Sequence, residues 1–234
     1  MKFSRVKLED TVVSLCPDVW TRINKYKNDF WSEEQLFEEL ICCILSSQVS
    51  YVLAKAAIQK LANADLVSLN KPSISARDYE KRVNSVLKSS ILNNGKKVHY
   101  RFPNLRARQI AELRNNIIQN NFNLFDIVYK QTDPLKIRNT LIDVISGVGP
   151  KQSSMFLRNI GRSYDLAILD RHVINYMVAV KITSDINIKK FNKNLYLNTE
   201  EELIQYALGI GYPVGCVDWA IWIVMRVARK EGYV

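Results

Sequence analysis

"DPLKIRNTLIDVISGVGPKQSSMFLRNI", Asp133 to Ile160, is the stretch on which the reading of the chain turns. Ile137, Leu141, Val144 and Ile145 recur at helical spacing, and the run then breaks at Gly147-Val148-Gly149. Pro150 follows in the first turn of a second helix, where a missing N–H costs nothing. The pattern predicts a helix–hairpin–helix. Glycines at 147 and 149 would let the amides of the turn and of the second helix approach one phosphate, and the helix dipole adds positive potential there. Such a hairpin grips a nucleic-acid backbone without reading sequence. The same pattern also suits an αα-hairpin that only packs two helices, and a G-x-G turn alone does not decide between them.

Lys151 stands directly behind the turn, at the positive end of its helix. An ammonium is disfavoured there, so the neutral, nucleophilic amine is made more available. A lysine contacting phosphate is the alternative. Downstream, "AILDRHVINYM" reads as a buried apolar run, Ala167 to Leu169, delivering Asp170 to the N-cap of the next helix. Arg171 and His172 fall in that helix's first turn. On local chemistry alone Asp170 is a structural cap and His172 a polar surface or capping residue.

Outward from this block, helical periodicity dominates. Positions 36, 37, 40, 41, 44 and 45 form one apolar face behind a Ser32 capping box. Val217, Ala220, Ile221, Val224, Val227 and Ala228 form another, with Gly232 as a stop. Further helices are expected over 52–63, 76–92, 104–120, 123–130, 134–145, 151–161, 171–180 and 199–208, with surface loops at 93–99 and 183–198. Alternating strand patterns are scarce, so the expected class is all-α. In 93–106, Lys96, Lys97, Arg101 and Arg106 are interleaved with Tyr100 and Phe102. That suits an edge that contacts a nucleic-acid strand, or equally a solvated charged loop.

The bulk composition agrees. Lys and Arg number 33 against 23 Asp and Glu, and the formal charge of +10 favours a polyanionic partner, nucleic acid or an anionic membrane surface. The longest apolar runs fall short of the roughly 18 residues of a spanning helix, and no signal-like segment opens the sequence, so an intracellular protein is expected. Cys16, Cys42, Cys43 and Cys216 show no metal-ligand or cluster spacing. No metal or other cofactor is expected, and the cysteines read as small buried hydrophobes.

Taken together, "GVGPKQSSMFLRNIGRSYDLAILDRHVI", "YRFPNLRARQIAEL", "CCILSSQVS" and "VDWAIWIV" resemble the helix–hairpin–helix DNA glycosylases. The nineteen residues from Lys151 to Asp170 match the lysine–aspartate spacing of the bifunctional members. The chain is most similar to the type 2 8-oxoguanine DNA glycosylase/lyases. The resemblance implies a two-lobed helical fold with the active site in a cleft between the lobes, one lobe spanning 31–162 and the other 1–30 plus 163–234. It implies Lys151 as nucleophile, Asp170 as catalytic carboxylate, Gly147 and Gly149 as the phosphate-gripping turn and His172 as a backbone-phosphate contact. Gln48 matches the position of a residue that enters the gap left by the flipped nucleotide. Arg101 and Arg106 fall on the DNA-contacting edge. Trp222, like Trp219, lies by family position near the base pocket, although Trp at helical spacing also suits a core.

The partner implied is double-stranded DNA carrying a damaged base, met by a monomer and away from any membrane. The implied reaction removes 8-oxoguanine through a lysine Schiff base and then cuts the strand by β-elimination. Type 2 enzymes usually end in lysine, whereas "RVARKEGYV" ends in Val234, which leaves glycosylases for other bases open. A non-catalytic DNA-binding module is the alternative from a different class.

Overall fold

The computed structural model describes residues 4–25, 30–69, 74–93, 96–184 and 192–230. In chain order the elements are α1 (Arg5–Asn24), α2 (Glu33–Leu45), α3 (Tyr51–Asn63), α4 (Ala76–Lys88), β1 (Ile91–Asn93), β2 (Lys96–Val98), α5 (Pro103–Ile118), α6 (Leu124–Tyr129), α7 (Pro134–Val144), α8 (Pro150–Asn159), α9 (Arg171–Ala179), α10 (Lys193–Ile210) and α11 (Val214–Lys230). The helical class holds. No single helix among the described residues is long and apolar enough to cross a membrane.

The chain forms two compact units, Phe30–Phe156 and a discontinuous unit of Met1–Asp29 with Leu157–Val234. In Phe30–Phe156, α2 is the central helix. Ser32 accepts from the Gln35 amide while the Gln35 side chain accepts from the Ser32 amide, closing the expected capping box. Leu36, Phe37, Leu40, Ile41, Ile44 and Leu45 are all buried, each worth roughly 1.5–3 kcal/mol of transfer free energy. α3, α5 and α6 pack around α2, and α4 lies along α5.

In the discontinuous unit, α11 packs against α1, α9 and α10. Leu8, Val12, Cys16, Val19 and Ile23 of α1 share one core with Val217, Ala220, Ile221, Val224 and Ala228 of α11. Cys16, Cys43 and Cys216 are buried, as expected, and Cys42 is half-buried.

Several expectations are corrected. The segment 93–99 is not simply a loop: β1 and β2 pair antiparallel, Ile91 opposite Val98, and the helix expected to reach 92 stops at Lys88. Lys60 Nζ binds Ser89 Oγ and the Ser90 carbonyl where the chain leaves that helix. The two strands are separated in sequence by Asn94-Gly95, a hairpin signal that the lysines around it obscured. Residues 193–198 begin α10 rather than end a loop, because Asn192 caps Leu195. Residues 185–191 and Gly232 lie outside the described residues. α1 had no counterpart in the sequence reading: Pro17 inside it and a mostly polar surface hid its apolar stripe. Val227, assigned to the buried face of α11, is 58% exposed, and Val144 is also exposed.

Candidate active site and nucleic-acid interface

The hairpin forms as its glycines predict. α7 is capped by Ile145, Val148 tucks into the interior, and Pro150 opens α8. Gly147 has φ +84°, which favours glycine, and a Cβ there would lie 2.3 Å from Gln109 Cδ, so the end of that side chain would have to move. Gly149 differs: a Cβ there would meet only Gln152 Oε1 at 3.6 Å. Steric packing within the protein therefore does not require glycine at 149.

Lys151, half-buried in the first turn of α8, places Nζ 3.7 Å from Met155 Sδ. It is close enough to the fully buried Cys43 to favour that thiol's ionised form. Burial and the Glu39 carboxylate, 3.5 Å from Cys43 Sγ, outweigh this and hold the thiol protonated.

Gln48 is exposed in the turn between α2 and α3 and has φ +61°. A non-glycine residue in the left-handed region costs on the order of 1–2 kcal/mol, which the surrounding structure must hold in place. Two side chains do so from below. Tyr100 Oη donates to the Leu45 carbonyl at 2.6 Å, and Arg106 Nη2 reaches the Ser47 carbonyl at 3.5 Å. Arg106 Nη1 also donates to Gln109 Oε1 at 2.7 Å, and Gln109 is the residue packed under Gly147. Arg106 is thus 4% exposed and braces the Gln48 turn and the hairpin, rather than standing on the surface edge expected for it. Tyr100 is buried for the same reason, while Arg101 is exposed with its guanidinium 4.9 Å over the Phe102 ring.

In the other unit, Asp170 is the N-cap of α9. Its Oδ1 accepts from the amides of His172 at 2.7 Å and Val173 at 3.0 Å, and Oδ2 accepts no hydrogen bond among the described residues. The cap therefore uses one carboxylate oxygen. His172 is half-buried beside it. Trp222 is half-buried with Arg226 4.9 Å over its ring, and Trp219 carries Arg158 at 5.4 Å and Arg22 at 5.8 Å. Neither ring is sealed in the core.

Two supports escaped the sequence reading. Gln109 carries no motif and is found only through its contact with Gly147. Asp218, 1% exposed, is a carboxylate inside the apolar run "VDWAIWIV", and that isolation was its one signal.

Comparison with known proteins bears on the same residues. A family model described as 8-oxoguanine DNA glycosylase matches residues 19–212. An 8-oxoguanine DNA glycosylase/AP lyase of Saccharolobus islandicus is 31% identical over 87% of this chain and 89% of its own length. One from Sulfurisphaera tokodaii is 33% identical over the same shares. Among solved structures, the 8-oxoguanine DNA glycosylase of Thermotoga maritima superposes with a TM-score of 0.69 at 28% identity, covering 93% of each chain. The Methanocaldococcus jannaschii 8-oxoguanine glycosylase/lyase, in complex with a 15mer DNA containing 8-oxoguanine, gives 0.72 at 24% identity, covering 95% of this chain and 96% of that one. The latter likeness is one of fold.

Proposed function

Since the chain belongs to the helix–hairpin–helix 8-oxoguanine DNA glycosylase family, we propose that it is a bifunctional glycosylase and AP lyase that excises 8-oxoguanine from duplex DNA inside the cell. The observation that carries this reading is that the chain holds a lysine in the first turn behind the glycine hairpin and, nineteen residues on, an aspartate that caps α9 through Oδ1 alone. A hydrolytic glycosylase has no use for Lys151, and a binding module has no use for either.

The chemistry follows from these groups. The damaged nucleotide leaves the stack at a cost of a few kcal/mol, and exposed Gln48 on its strained turn is the residue suited to fill the gap. Gly147, Gly149 and the amides at the start of α8 hold a backbone phosphate, with His172 and Arg101 as further contacts. That Gly149 meets no close neighbour supports a role set by an external ligand. Arg106 enters DNA binding only through the turn it braces.

The neutral Lys151 amine attacks C1′, the bond from C1′ to the base nitrogen breaks, and the base leaves with the electron pair and takes up a proton. Asp170 stabilises positive charge developing on the sugar. Loss of the amine proton and opening of the ring at O4′ give the Schiff base. Removal of a C2′ proton then expels the 3′ phosphate, and water releases the lysine. Trp222 is proposed to line the base pocket.

Borohydride trapping on a duplex with a single 8-oxoguanine tests the reading, with uracil and thymine-glycol duplexes as controls. A covalent adduct on the 8-oxoguanine duplex that vanishes in Lys151→Gln is expected. An adduct only on a control lesion would change the base, and none on any duplex would overturn the mechanism.

A further inference from the structure

Asp170 is delivered by an irregular segment, and the way that segment is held exceeds what a cap needs. Ala167, Ile168 and Leu169 are buried and belong to no helix or strand, so their peptide groups find partners in side chains. The Ala167 amide donates to Glu200 Oε1 at 2.9 Å, and the Ile168 amide donates to Asp218 Oδ2 at 2.7 Å. Tyr196 Oη donates to the Ala167 carbonyl at 2.7 Å and accepts from the Leu169 amide at 3.4 Å. Asp170 closes the segment with its own amide on the Ile168 carbonyl at 2.9 Å. Asp218 is itself fixed, because Oδ1 accepts from Arg158 Nη1 at 2.6 Å while Arg158 lies over the Trp219 ring.

Glu200 is 4% exposed and Asp218 1%. Burying two carboxylates is an expensive way to satisfy two amides. What it supplies is rigidity, since each carboxylate is anchored on a long helix and fixes one peptide of the segment at a set distance.

We propose that Asp218, supported by Glu200, is a positioning residue for catalysis: by holding the Ile168 peptide it sets where the Asp170 carboxylate stands. The inference rests on the functional reading above. A carboxylate displaced by about 1 Å costs on the order of 100-fold in the step it assists. That step is base excision, where charge develops on the sugar. Schiff-base formation at a ready-made abasic site has no glycosidic bond to break and depends on Lys151.

Three measurements on wild type, Asp170→Asn, Asp218→Ala and Asp218→Asn test this: single-turnover excision of 8-oxoguanine, borohydride trapping at a preformed abasic site, and duplex affinity, each beside a melting curve. Asp218→Ala should lower excision about 100-fold, with trapping and affinity within about threefold. Asp218→Asn keeps a carbonyl acceptor for the Ile168 amide while leaving Arg158 without its counter-charge. It should melt lower yet excise within about fivefold of wild type, because one hydrogen bond is retained and one ion pair lost.

Excision that tracks melting temperature across both variants, or that falls together with trapping and affinity, would overturn the inference. If Asp218→Ala does not fold, Glu200→Ala, which frees the preceding peptide, is read in its place with a loss of about tenfold expected. Inactive wild type, or an Asp170→Asn variant as active as wild type, would instead sink the functional reading and this inference with it.

Discussion

The glycine hairpin and the segment leading to Asp170 are both irregular backbone, and each is braced by buried polar side chains of a different kind. Under the hairpin the brace is cationic and neutral: Arg106 donates to Gln109, and Gln109 packs against Gly147. Under the Asp170 segment it is made of two carboxyl groups: Glu200 and Asp218 accept from consecutive amides. Arg106, Gln109, Glu200 and Asp218 are all buried, so each brace makes its hydrogen bonds in low-dielectric surroundings where they are strong.

The strongest test of the contrast is at the nucleophile. Lys151→Gln should remove the trapped adduct and lower excision at least about 1,000-fold while leaving duplex affinity within about threefold. A variant that still traps would move the chemistry to another amine.

Next comes the hairpin brace. Gly147→Ala combines a disfavoured φ with a Cβ clash on Gln109, and should cost about 2–4 kcal/mol of stability in denaturant titrations. Adding Gln109→Ala should return about 1 kcal/mol of that as a coupling energy. Simple additivity would show that the two do not meet as a unit. Gly149→Ala sharpens the point, since its Cβ meets only Gln152. Stability should change by less than about 0.5 kcal/mol, while duplex affinity falls about tenfold because a phosphate can no longer come as close.

The carboxyl brace makes a smaller, pH-dependent prediction. Burial, with Asp170 nearby, pushes Asp218 up to about 7, against the opposing pull of Arg158 and the Ile168 amide. Between about pH 4 and 7 the folded protein holds a proton on Asp218 that the unfolded chain has released. Its contribution to stability is therefore greatest at low pH and is lost as pH rises through about 7. The melting temperature of wild type minus that of Asp218→Asn, which cannot titrate there, should fall between pH 5 and pH 8 by on the order of 5 °C. A difference independent of pH would show that Asp218 is ionised throughout.

The two regions also differ in how far they could be read from sequence. The hairpin was legible because its determinants are adjacent: two glycines, a proline and the lysine behind them. The Asp170 cap was legible for the same reason, as was the buried face of α2 behind Ser32. The braces were not. Asp218 meets Ile168 across 50 residues of chain, and Arg106 reaches Ser47 across 59. No local pattern encodes such pairs. Arg106 was misassigned to a surface edge because an arginine among lysines and aromatics looks solvated until its partners are known. The β1–β2 ribbon had a local signal in Asn94-Gly95, but lysine-rich flanks gave no alternation to support it.

The discontinuity of one unit has a consequence for how the protein is made. α1 leaves the ribosome first, yet the helix it packs against, α11, comes nearly two hundred residues later. At 5–20 residues per second that interval is roughly 10–40 s. The contiguous Phe30–Phe156 unit emerges complete well before then, while Leu8, Val12, Val19 and Ile23 still lack their partner surface. A nascent α1 therefore passes that interval with its apolar stripe uncovered.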